Sequence, residues 1–320
     1  MRILFITSGY KGIYDWFEGL ILNELKKQNE VQFFHFNKGL PGLKLIIQKF
    51  KPEIALSLVG FKFPHAMLQW LKQQHIKTAV WFTEDPYYMD RTAILARQYD
   101  YIFSIDSAAV DFYQRSGHKH AFQLSLATSP EVFRPKQVET KYKSDICFVG
   151  FPYPERIKDI QHLVMNTSYK IQVVGKWKFP LYKLRRNQNL NIHEGWVEPQ
   201  NVSEFYNGAK IVLNTHRPFN LQQNMNKLGI VGKSINNRTF DVASCASFQL
   251  IEYRDDLKEH FVEGKEIVAF KSLNDLLEKV HYYIENEGER SHIANKARER
   301  VLKEHTFESR VKKMLDIFSK

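Results

Sequence analysis

Between Asn214 and Leu250 the chain gathers the groups that would hold a diphosphate. Arg217 and Arg238 each carry a guanidinium fork able to bridge two anionic oxygens, and Lys227 and Lys233 add two ammonium charges. The run begins where the apolar segment 209–213 gives way to Asn214, Thr215, His216, Arg217 and Pro218; Asn214 and His216 would shape the loop beside the arginines. It closes on Arg238-Thr239-Phe240-Asp241, the head of a small-residue segment leading into the apolar run 248–251. A strand, a cationic loop, a helix start and a second strand make an anion pocket, because backbone N–H groups at a helix N-terminus and guanidinium forks both favour negative charge. The chemistry would be electrostatic: fixed cations stabilise the negative charge of a diphosphate, without a metal. Asp241, an acid beside those phosphates, suits sugar hydroxyls. Two surface arginines are the plainer reading of the same residues.

Other residues fit around that pocket. Gly150 and Gly175 each end an apolar run, at Phe148-Val-Gly150 and Val173-Val-Gly175-Lys176, where no side chain restricts the backbone. Glycine at a strand end is also ordinary punctuation. In the first half, Trp81-Phe-Thr-Glu84-Asp85-Pro86 finishes an apolar run in two carboxylates. Asp85, with Glu84 behind it, is placed for an acceptor base or a hydroxyl-binding group, or for a helix cap or turn. The loop Ser8-Gly-Tyr-Lys-Gly12 lacks the lysine-serine/threonine ending of a P-loop. Twelve histidines fall without ligand spacing, so no structural metal and no cofactor are expected.

The elements that must position these groups follow from periodicity. Short β-rich runs at 2–7, 31–36, 54–59, 78–82, 101–105 and 122–126 alternate with amphipathic stretches, such as Tyr14, Phe17, Ile21 and Leu25 at helical spacing. After a Pro-containing break near 128–135 come runs at 145–149, 171–174, 211–214, 248–251 and 267–270. Helical patterns then fill 273–286, 289–304 and 307–318. Strands alternating with helices predict parallel sheets covered on both faces. The expectation is α/β, with two doubly wound, Rossmann-like domains facing a cleft, over 1–135 and 141–320. One large α/β domain is the alternative.

The motifs carry a resemblance as well. Asn214-x-His-Arg-Pro218, Ser234-Ile-Asn-x-Arg-Thr-Phe-Asp241, Phe261-x-x-Gly-Lys-Glu266 and His305-Thr-Phe-x-x-Arg310 run in the order seen in GT-B glycosyltransferases, and within those resemble the CgeB-type spore-maturation enzymes. The likeness spans roughly residues 145–320. It implies a donor domain in which Gly150, Gly175, Lys176, Asn214, His216, Arg217, Arg238, Thr239, Phe240 and Asp241 surround a nucleotide-sugar, UDP- or dTDP-linked, with Arg238 taking part in catalysis. His193-Glu-Gly-Trp196-Val197 resembles the segment bordering the nucleobase, though Trp196 reads equally as a core ring. Retaining members carry a glutamate eight positions before the acid at Asp241; here that position is Lys233. The resemblance implies transfer to a glycan, protein or small acceptor, and a role at a spore surface. A nucleotide-sugar-binding scaffold without turnover and a nucleotide-sugar epimerase are the other readings.

Composition narrows the class. Of 320 residues, 43% are hydrophobic and 25% charged, as in ordinary globular proteins. No apolar run approaches the roughly 20 residues needed to span a bilayer, and two distant cysteines point to the cytoplasm. Basic residues outnumber acidic ones by 15 to 6 within 141–240, against 16 to 12 in 1–135 and 14 to 16 in 241–320. The excess sits on the diphosphate block. With no basic tail or cationic helix face, a nucleic-acid partner is not expected.

Overall fold

The computed structural model describes all of residues 1–320. The chain divides into two compact units: Met1–Leu126 with Phe219–Ser234 and Phe307–Lys320, and Ala127–Pro218 with Ile235–Thr306. Each is built on a six-stranded, all-parallel sheet. In the first unit the strands are β1 (Arg2–Ile6), β2 (Glu30–Phe34), β3 (Ile54–Leu58), β4 (Lys77–Phe82), β5 (Tyr101–Ser104) and β6 (Ala121–Gln123). Their order is β2-β1-β3-β4-β5-β6. In the second they are β7 (Ser144–Val149), β8 (Ile171–Gly175), β9 (Leu190–Glu194), β10 (Ala209–Asn214), β11 (Gln249–Glu252) and β12 (Val268–Phe270). These run β12-β11-β10-β7-β8-β9.

The central strands are apolar on both faces because helices cover both sides. β3 and nearly all of β4 are buried along their length. Leu4, Ile6, Val80 and Phe82 meet Leu43, Leu68 and Tyr113 from the helices of the first unit. Ile146, Phe148, Val173 and Leu213 meet Ile160, Leu163, Val280 and Ile293 in the second. The doubly wound α/β class read from periodicity is therefore the fold of both sheets. One strand escapes that reading. β9, Leu190-Asn-Ile-His-Glu194, is an edge strand with no continuous apolar run, and its one mark is a four-residue apolar–polar alternation. No helix is long and apolar enough to cross a membrane.

Two segments distant in sequence complete the first unit. The helix Phe307–Phe318 lays Phe307 against Phe17 (ring centroids 6.2 Å) and Phe318 against Tyr101 and Phe103 (5.4 and 5.6 Å). Residues 219–234 are tied down by Asp90, whose carboxylate accepts the N–H groups of Lys227 and Leu228, and by Asp106, which accepts those of Lys233 and Ser234.

Candidate functional site

In the second sheet strand order reverses between β7 and β10: the chain proceeds from β7 to β8 and β9 on one side, and from β10 to β11 and β12 on the other. Connections leaving two adjacent strands in opposite directions open a crevice at their carboxyl ends, where doubly wound sheets bind ligands. Gly150 ends one of these strands and Asn214 the other. At Gly150 φ is +152°, and a Cβ there would stand 2.7 Å from Nη2 of Arg238 and 3.4 Å from Nη1 of Arg156. Only glycine leaves room for both guanidiniums to lie along this backbone.

The arginines are held rather than loose. Nη1 of Arg238 donates to Oδ1 of buried Asn214 at 3.0 Å, and its guanidinium lies 5.4 Å from the Phe148 ring centroid. Arg156 donates to the carbonyls of Phe151 (3.0 Å) and Thr215 (2.8 Å), fastening the loop after β7 to the loop after β10. Its guanidinium and that of Arg217 flank the Tyr153 ring at 4.7 and 5.4 Å. Three cations thus gather at one strand-end crevice, and residue type and spacing point to two of them, Arg217 and Arg238. Arg156 is the one that sequence reasoning misses. It sits in the amphipathic helix Pro154–Asn166, where an arginine looks like any solvated position; the one available signal is its place six residues after the strand-end glycine.

His216 is fixed from the next strand. Glu252, at the end of β11, accepts both the His216 N–H (2.8 Å) and its Nδ1–H (3.2 Å). Burial drives the imidazole pKa down to about 4, so the ring is neutral. Burial would by itself raise the Glu252 carboxyl, but the hydrogen bonds from His216 and the charge of Arg254 hold it at about 2. Asp241, in the first turn of the helix Arg238–Ser244, is pushed up to about 8 by burial, against the hydrogen bond from Thr128 and the charge of Arg238.

Several expected contacts are placed otherwise. Thr239 and Phe240 are fully buried: the Thr239 hydroxyl accepts from Asn214, and the Phe240 ring packs on Phe261 and His305. They support the pocket wall from within the core and do not line it, because the helix turns that face inward. Trp196 is not a core ring; it is 60% exposed and donates its indole N–H to Glu198. Val197 packs inward against the cluster of Cys147, Val174 and Phe205. Lys176 is exposed, and Gly175 presses on Gly150, since a Cβ at Gly175 would meet the Gly150 carbonyl oxygen at 2.4 Å. Lys233 belongs to the first unit, where its ammonium pairs with Asp111 at 3.4 Å.

In the first unit the two carboxylates after β4 have different fates. Asp85 is 1% exposed and accepts hydroxyls from Thr92, Ser104 and Tyr113 at 2.7, 2.7 and 2.8 Å. Burial raises it to about 6 in spite of those bonds. With both oxygens taken inside the core, Asp85 braces the loop and is not placed to meet a substrate. Glu84 is partly exposed and accepts from the Tyr14 hydroxyl. Around it at the carboxyl ends of β1, β3 and β4 stand Tyr10, Phe61 and Tyr88, with Lys62 3.9 Å from the Tyr10 centroid and Arg91 4.4 Å from that of Phe61. No group of three His, Cys, Asp or Glu side chains has a geometry suited to a metal ion. A cavity of about 1170 Å³ opens at Ser144, Ala209 and Lys210, at the opposite end of the second sheet from the arginines and so away from the ligand end of such sheets.

Residues 156–316 match the model of the family described as glycosyl transferase-like. The spore protein CgeB of Bacillus subtilis (strain 168) is 33% identical over 296 residues, 92% of this chain and 91% of that protein. A sucrose-phosphate synthase from Thermosynechococcus elongatus superposes with a TM-score of 0.73 at 10% identity, covering 99% and 98% of the two chains. Anabaena Alr3699/HepE, solved in complex with UDP-glucose, gives 0.70 at 10% identity over 100% and 99%. At such identities the structures speak for the shared fold, while the family match and the CgeB likeness speak for descent. The chain belongs to the glycosyl transferase-like family and is a glycosyltransferase of the GT-B fold.

Proposed function

We propose that this glycosyltransferase takes its sugar from a UDP-linked donor, with the diphosphate on Arg238, Arg217 and Arg156 and the ribose hydroxyls near Asp241. The observation that carries the reading is the approach of Arg238 and Arg156 to Gly150 at the reversal of strand order. Cations already fixed by Asn214 and by backbone carbonyls need no reorganisation as charge grows on the leaving diphosphate. The UDP-glucose complex of Alr3699/HepE, on the same fold, supports the choice of base. Activity should then persist in EDTA, because the arginines supply the neutralisation a metal would otherwise give.

The acceptor is a sugar-bearing molecule in this reading. The grouping of Tyr10, Phe61 and Tyr88 with Lys62 and Arg91 supports a pyranose stacked beside these rings, with Glu84 as the carboxylate that would accept hydroxyl protons. The likeness to the spore protein CgeB supports a spore as the setting, where the acceptor in this reading is a surface glycan or glycoprotein. Thermal unfolding with UDP, GDP, dTDP and CMP in turn is the direct test. UDP should raise the midpoint most, since a ligand held only by the folded state stabilises it by mass action. A panel in which no nucleotide moves the midpoint would remove the donor assignment.

A further inference from the structure

We propose that residues 176–186 form a docking surface for an anionic lipid bilayer. This inference is independent of the donor assignment. The segment Lys176-Trp-Lys-Phe-Pro-Leu-Tyr-Lys-Leu-Arg-Arg186 holds five cations and no carboxylate. All five cations are exposed and none is ion-paired. Elsewhere the same molecule pairs its lysines readily, as at Lys136–Glu204 and Lys210–Asp145, both 2.7 Å.

The segment is presented, not floppy. Trp177 and Leu181 are fully buried, with the Trp177 indole N–H donated to the Gly150 carbonyl at 2.8 Å. The Leu181 N–H donates to the Trp177 carbonyl, and the Lys178 N–H to Glu194 at 2.9 Å. These two anchors turn the intervening side chains outward. Phe179 is 91% exposed and Tyr182 55%, with the Arg185 guanidinium 4.1 Å from the Tyr182 ring centroid.

Exposed rings interleaved with cations on one turn match the water–lipid boundary. Rings enter the acyl edge while lysines and arginines meet phosphate headgroups. A single-stranded nucleic acid also takes rings and cations, but stacks its bases in a groove. A ring 91% exposed has no wall beside it, and a flat bilayer is the partner that needs none.

Sedimentation of the full chain with vesicles tests this. The protein should pellet with phosphatidylcholine vesicles containing about a third phosphatidylglycerol and not with phosphatidylcholine alone, and high salt should release it. The combined variant Lys178→Gln, Lys183→Gln, Arg185→Gln, Arg186→Gln should bind several-hundredfold more weakly, at about fivefold per cation near a charged surface. Phe179→Ser should weaken binding several-fold with the salt dependence unchanged. Every replaced side chain is exposed, so melting midpoints by circular dichroism should match the wild type. Failure of the wild-type protein to pellet, or pelleting of the combined variant at wild-type strength, overturns the proposal. So does tighter binding to poly(U) than to vesicles that Phe179→Ser leaves unaltered, which would mark a polyanion site.

Discussion

Arg238 is the side chain whose removal should separate chemistry from folding. It is partly exposed at a strand-end crevice, its fixed partner is one amide oxygen, and its role in the proposed reaction is to meet charge that grows in the transition state. Arg238→Ala should lower the transfer rate by about 10²–10³, as for other preorganised charge donors, with an unchanged far-ultraviolet spectrum. Turnover at the wild-type rate would break the assignment. Asp241 makes a second, independent prediction through its raised pKa. An unfolded carboxyl ionises near 3.8, while in the folded chain it keeps its proton up to about 8. Across that window the folded state binds more protons than the unfolded one, so the stability from this group is full below pH 4 and is lost as pH rises through 8. Asp241→Asn does not titrate. Its melting midpoint should therefore equal the wild type near pH 4 and lie several degrees above it near pH 9, with a flat difference across that range counting against the raised pKa. At this scale the sequence is legible where residue type alone tells the chemistry, as for Arg217 and Arg238. It is silent where burial decides: nothing in Trp81–Pro86 says that Asp85 turns into the core while Glu84 keeps solvent, since both are acids at one strand end.

Strand ends turn these residues into a site, and here backbone sterics matter as much as charge. Gly150 and Gly175 meet at the ends of adjacent strands, close enough that the Gly150 carbonyl stands where a Gly175 side chain would begin. Gly150→Ala would force a Cβ into Arg238 and Phe148 at a φ that L residues rarely adopt. The expected result is a protein with activity reduced nearly as far as in Arg238→Ala and with a lower midpoint besides. The ends of β10 and β11 make a different prediction. His216 is held neutral down to about 4 and Glu252 ionised down to about 2, against ordinary values of 6.5 and 4.5. In both windows the unfolded chain takes up protons that the folded pair refuses, so stability falls as pH drops from about 6.5 towards 2. Glu252→Gln should weaken the hold on His216 and flatten the lower part of that acid limb, which acid titration by circular dichroism would read. Eleven of the strands are legible as runs: the buried ones are near-continuous apolar stretches, and the edge strand β2 still carries Val31, Phe33 and Phe34. β9 is not, because Leu190 and Ile192 are its only apolar residues.

For the molecule as a whole, sequence order and spatial grouping part company. Periodicity counts elements along the chain and has no access to contacts between segments hundreds of residues apart. It gives no hint that 219–234 and 307–320 belong with the first sheet. Yet the last helix is part of that unit's core: Phe307, Val311 and Met314 are buried, and Nε of buried Arg310 donates to the Ser125 carbonyl at 2.9 Å. Three apolar side chains at roughly 1.5–3 kcal/mol each amount to much of the roughly 5–15 kcal/mol that holds a domain folded. Deleting residues 307–320 would also uncover Phe103, fully buried beneath Phe318. The truncated chain should therefore lose amide-exchange protection in the helix Ile13–Lys26 and in β5 and β6, which lie under the missing helix. The second unit keeps its own core of Ile146, Phe148, Leu213 and Leu250 intact, so β7, β8 and β10 should stay protected. Hydrogen exchange read by mass spectrometry would show the two patterns side by side. Faster exchange in β7, β8 and β10 with β5 unchanged would mean that the terminal helix stabilises the other unit, and its assignment to the first sheet would fall.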